Sequence, residues 1–136
     1  MTVILLPLFA LATWTFLILV LIAIRRIGAG RSGRVKPSDF LFGESANVPP
    51  DVCLPNRNYM NLLELPVLFY VVCLLIYVAG QQSPWLPGLA WAYVALRVVH
   101  SLIHLSYNDV YHRLAAFAAS NGVLIALWVL AGLGLE

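Results

Sequence analysis

At 136 residues, with 62% hydrophobic and only 10% charged positions, the chain is far more apolar than the roughly 45 to 50% of a soluble domain. That excludes a water-soluble globular protein. The net charge of +2 says little by itself, and no nucleic-acid partner is expected.

A helix needs about 20 mostly apolar residues to cross the hydrocarbon core. Four stretches qualify, near residues 3–24, 58–80, 84–107 and 110–135. With their connections they use the whole length, so the expected fold is a single all-α membrane domain, a four-helix bundle. The first stretch has no positive charge ahead of its apolar run. Arg25 and Arg26 follow it, so it is expected to stay attached as a span and not to be cleaved as a signal peptide.

The first connection, about 25–57, gathers Arg25, Arg26, Arg31, Arg34, Lys36 and Arg57, whereas the second, around residues 81–87, has no Lys or Arg. The positive-inside rule then places the first and third connections in the cytoplasm. Glycines and prolines in the first connection, including Gly33, Pro37, Pro49, Pro50 and Pro55, predict broken regular structure. Phe40 and Phe42 among its charges suggest a segment lying at the membrane surface. Cys53 and Cys73 form no metal or redox spacing and are expected to be free thiols.

In the second span, Pro66 predicts a kink. Ser83, Pro84 and Pro87 predict a tight turn into the third, and Asn108 or Asp109 is expected to cap the fourth. Arg57, Asn61 and Glu64 are spaced i, i+4, i+7, and Arg97, His100 and His104 i, i+3, i+7, so each triplet shares a helix face. Arg113 enters at the start of the fourth span, from the same side. Each charge at a helix centre costs about 2.5 to 3.5 kcal/mol on insertion scales, so such residues face protein or a wet cavity.

Glu64 is expected to pair with Arg97, within a subunit or across an interface. A lock needs only two charges, however. Three arginines, two histidines, an asparagine and one glutamate at one level leave a cationic excess that suits an anionic ligand. Two other classes stay open on the residues alone: a non-catalytic membrane module with a buried Glu–Arg lock, and a proton-coupled exporter using Glu64, which a neutralising arginine disfavours. His100 and His104 lack a third metal ligand.

The run Arg57-Asn58-Tyr59-Met60-Asn61-Leu62-Leu63-Glu64-Leu65-Pro66, followed by Arg97-x-x-His100-x-x-x-His104 and Arg113, resembles the MAPEG family of membrane proteins in eicosanoid and glutathione metabolism. The resemblance spans all four helices and suggests a bacterial-type member in the inner membrane. It implies a left-handed four-helix bundle, a homotrimer among membrane lipids, and a glutathione site between neighbouring subunits. Arg57, Asn61 and Glu64 would hold the tripeptide, with Arg97 in the same set. His100 and His104 would line the opposite wall and Arg113 would face the sulfur. The implied activity is a glutathione-dependent transferase or peroxidase acting on lipophilic electrophiles. Family synthases often have tyrosine where His104 stands, and can have serine and tyrosine where this chain has Leu114 and Phe117.

Overall fold

The structure, a computed structural model, describes residues 2–135. A short 3-10 turn, Thr2–Ile4, leads into α1, Leu5–Arg31. α2, Pro50–Leu62, and α3, Pro66–Val78, follow, then α4, Trp85–Leu105, and α5, Val110–Leu133. α2 and α3 together make one span, so four stretches are long and apolar enough to cross a membrane. α4 packs most extensively on α5 and also touches α1 and α2.

Every α4 residue that is buried falls on one stripe, from Leu86 and Ala90 through Tyr93 and Arg97 to His100, Ser101 and His104. That is helical spacing, and it makes α4 the central helix of the bundle. The Tyr93 ring stacks on Phe69 of α3, with centroids 4.5 Å apart and planes at 23°. Leu11, Val72, Cys73, Ile76 and Leu127 fill the space around them.

Two boundaries differ from the sequence expectation. α1 does not stop with its apolar run at Ile24 but continues to Arg31, because a charge ends a hydrocarbon segment without ending a helix. The end comes at Gly33, whose φ of +71° lets its N–H bond to Gly30 O while Arg34 N–H bonds to Ala29 O. This is a Schellman closure, and it needs the left-handed residue that glycine supplies. α2 starts at Pro50, eight residues before the expected start at residue 58. A proline at the first helical position has no N–H to leave unsatisfied, so Pro50 opens a helix that had been expected to be loop.

The expected kink is a full break. Residues 63–65 leave the helix, and Pro66, lacking an N–H, begins α3. Glu64 stands in that break and is exposed on the single chain.

The connection between α1 and α2 is correspondingly shorter and more ordered than expected. It holds a 3-10 turn, Pro37–Phe40, and a cluster of its own in which Ala29, Val35, Val48, Val52 and Cys53 pack with Phe40. Arg34 makes two hydrogen bonds to Asp51, at 3.1 and 2.9 Å. Asp39 accepts from Lys36 N–H at 2.8 Å and from Ser45 Oγ at 3.1 Å. The Lys36 backbone donor, with Ser45 and the Lys36 charge assisting, holds the Asp39 carboxyl below the ordinary aspartate value of 3.8. A depressed carboxylate stabilises above its unfolded pKa and ceases to do so as pH falls through its folded value. Amide protection around residues 36–45 should therefore drop on acidification below pH 3.8, and Asp39→Asn should show that drop at neutral pH. Hydrogen exchange on both proteins checks it.

Between α4 and α5, Asn108 adopts φ +50° and its N–H closes α4 on Ile103 O at 2.8 Å. Asp109 caps α5, its side chain accepting from His112 N–H at 2.8 Å. One candidate cap thus ends a helix and the other begins the next.

Candidate functional site

The break after α2 and the turn before α5 bring polar side chains from three helices to one end of the bundle. A cavity of about 250 Å³ there is lined by Asn61, His100, His104, Val110, Arg113, Leu114 and Phe117. The His100 and His104 rings meet edge-on at 5.9 Å, and His100 lies 6.1 Å from the Phe117 ring. His104 Nδ1 is buried without a hydrogen-bond partner.

Arg97 takes no place on that wall. It is 0% exposed and stands behind Asn61, its Nη2 donating to Asn61 O at 2.9 Å and to Asn61 Oδ1 at 2.6 Å. Its guanidinium carbon lies 5.8 Å from the Phe117 centroid, within the range of cation–π attraction. The donation to Oδ1 engages the side-chain acceptor and orients the amide, which leaves Nδ2 as the donor that Asn61 has to offer.

The expected Glu64–Arg97 pair is not made within the chain. Arg97 turns instead to Asn61, one helical turn earlier, while Glu64 stands in the break at residues 63–65. Among the described residues Glu64 forms no ion pair.

Arg57 is exposed and lies in a neighbouring cavity of about 330 Å³ with Glu44, Cys53, Leu54 and Asn108. Arg113 Nη1 donates to Asn108 Oδ1 at 2.6 Å. One bond thus joins the walls of the two cavities. Of the seven expected residues, four line the first cavity, Arg97 backs it, Arg57 borders the second, and Glu64 is outside both.

Asn58 and Ser101 had not been singled out. Both are fully buried; Ser101 Oγ donates to Asn58 Oδ1 at 2.9 Å, and Asn58 Nδ2 donates to Ser101 O at 3.5 Å. This is the lock between α2 and α4 that Glu64 and Arg97 had been expected to form. Its signal was weak, because a serine in a membrane helix can satisfy its hydroxyl on its own backbone. Ser101→Ala should lower stability by about 1 kcal/mol, the scale of interhelical hydrogen bonds in membranes. Unfolding in detergent mixtures checks it, and an unchanged midpoint would remove the lock.

Four apolar spans with a polar recess opening near one end define a multi-pass integral membrane protein. The chain belongs to the MAPEG family, whose model matches residues 4–133. No curated protein and no solved structure matches it. The family is associated with glutathione, includes transferase-like and peroxidase-like members, and is generally oligomeric.

Proposed function

We propose that this protein is a membrane glutathione-dependent transferase or peroxidase acting on lipophilic electrophiles, assembled as a homotrimer. The carrying observation is a surplus of unpaired polar groups, two of them guanidinium cations. Arg57 and Arg113 form no ion pair among the described residues. Arg113 has a neutral partner in Asn108, and His104 Nδ1 has none. The residues present fit an acceptor-rich, anionic tripeptide.

When bound, glutathione supplies a nucleophilic thiol. Arg57, Asn61, His100 and His104 are assigned to holding it, with Arg97 acting through Asn61. Glu64 belongs to this set only if a second chain brings it to the ligand. A carboxylate exposed in the break of a span is expensive against hydrocarbon, which supports a second copy over that surface. Arg113 is assigned to favouring thiolate over thiol by its charge, raising the reactive fraction near neutral pH. Val110, Leu114 and Phe117 supply an apolar wall on which a lipophilic substrate from the bilayer can lie.

A purely structural module, the alternative reading, accounts for Asn58, Ser101, Asn61 and Arg97. It leaves the cavity with Arg113 and both histidines without a task. Titration calorimetry of the purified protein with glutathione separates the two, and absence of binding to the wild type sinks the enzyme reading.

A further inference from the structure

Phe40 and Phe42 have opposite fates in the connection between α1 and α2. Phe40 turns inward, its ring 4.7 Å under the Arg26 guanidinium. Phe42 is fully exposed and Leu41 is 70% exposed. We propose that Leu41 and Phe42 form a wedge seated in the interfacial layer of the membrane the protein spans, with anionic phospholipid as the partner.

Their level follows from Arg26. Glu44 accepts from Arg26 Nη2 at 3.1 Å, so both ends of the segment 40–44 are pinned to a single residue of α1. Between Arg26 and that segment the chain runs out to Arg31, about 7.5 Å further along the helix axis at 1.5 Å per residue, and then returns. Arg26 is only about 3 Å beyond Ile24, where the apolar run ends. The pinned segment therefore lies at the edge of the hydrocarbon core. Gly43, at φ +92°, turns the chain between the pins, and Leu41 and Phe42 project from that turn.

The exposed surface of α1 has the layering of a bilayer boundary. Phe16, Val20, Ile24 and Ile27 are exposed at a spacing that places them on one face of α1, an apolar stripe reaching the same level. Arg31 and Lys36, further out, form no ion pair among the described residues. Apolar side chains at the hydrocarbon edge with cations outside them that no ion pair neutralises match the order of acyl chain and anionic headgroup. A second protein chain would need no such order.

The full-length protein in nanodiscs, with photoreactive benzoylphenylalanine at position 42, tests this, and neighbouring probes at positions 41 and 32 complete it. Irradiation should give phospholipid adducts by mass spectrometry at 42 and 41, several-fold above those at Ser32, which lies beyond the end of α1. Yield should rise when phosphatidylglycerol replaces phosphatidylcholine, and Arg31→Gln with Lys36→Gln should remove that rise. Chain-to-chain crosslinks as the main product at 42 would overturn the proposal in favour of a subunit contact. Equal lipid adducts at 42 and 32 would overturn it as non-specific labelling, and yields indifferent to headgroup charge would overturn the choice of anionic lipid. None of these readouts involves glutathione, so the wedge and the proposed activity fail independently.

Discussion

Arg113→Ala is expected to slow glutathione conjugation to a lipophilic electrophile by about 100-fold, the scale on which a positioned charge-stabilising donor acts. Glutathione affinity should stay within a few-fold, because Asn61, His100, His104 and Arg57 remain. Arg113 is half-buried and its guanidinium is held by Asn108 Oδ1 at 2.6 Å, so the charge is fixed in place and needs no reorganisation when a thiol arrives. Arg113→Lys should fall between the two, keeping the charge and losing the planar fork that Asn108 holds. Thiolate absorbance followed against pH makes the role explicit: in the alanine variant, the pH at which thiolate forms should move upward. If Arg113→Ala abolishes binding and leaves the thiolate titration of any residual complex unmoved, Arg113 is an anchor and not an activator.

The second large effect is an asymmetry between Asn61 and Arg97. Asn61→Leu should destabilise the protein by about 2 to 3 kcal/mol, since it takes one of two acceptors from a fully buried cation and leaves that charge at membrane depth. Arg97→Met should cost less, or nothing. Arg97 Nε and Nη1 already lack partners, and removing a poorly satisfied buried charge relieves its desolvation penalty. The double variant should recover most of what Asn61→Leu loses. Unfolding midpoints of the four proteins in one detergent mixture supply the cycle. A loss at Arg97→Met equal to that at Asn61→Leu would mean that the bond itself, and not the stranded charge, sets the energy.

Hydropathy was enough to place the spans, because insertion into hydrocarbon depends on summed side-chain transfer energy over about 20 residues. It misjudged where helices begin and end. Arg25, Arg26 and Arg31 are acceptable helix residues outside the hydrocarbon, and Pro50 is acceptable at a first turn, so α1 and α2 both project beyond the apolar runs. The ordered connection was hidden for the same reason. Its cluster of Val35, Val48 and Cys53 and its Arg34–Asp51 and Arg26–Glu44 pairs join residues distant in sequence, and no local period announces them.

Helical spacing kept His100 and His104 on one cavity wall, but it did not hold Arg57, Asn61 and Glu64 together. The period that places Asn61 beside Glu64 holds only while the helix is intact, and Pro66 ends it there. Asn58 with Ser101 and Asn61 with Arg97 are the pairs that join α2 to α4, and Asn108 joins the turn to Arg113.

By itself the amino-acid order determined that this chain lives in a membrane, that it crosses as four helices, and that a costly polar set from three of them sits toward one end. Those properties are sums and periods, readable along one dimension. Tertiary structure alone decided which of the costly residues meet: Arg97 with Asn61, Asn58 with Ser101, Arg113 with Asn108, and Glu64 in no ion pair among the described residues. A buried hydrogen bond is made only where two helices present donor and acceptor within about 3 Å, and that depends on a helix break and on packing that no single helix contains.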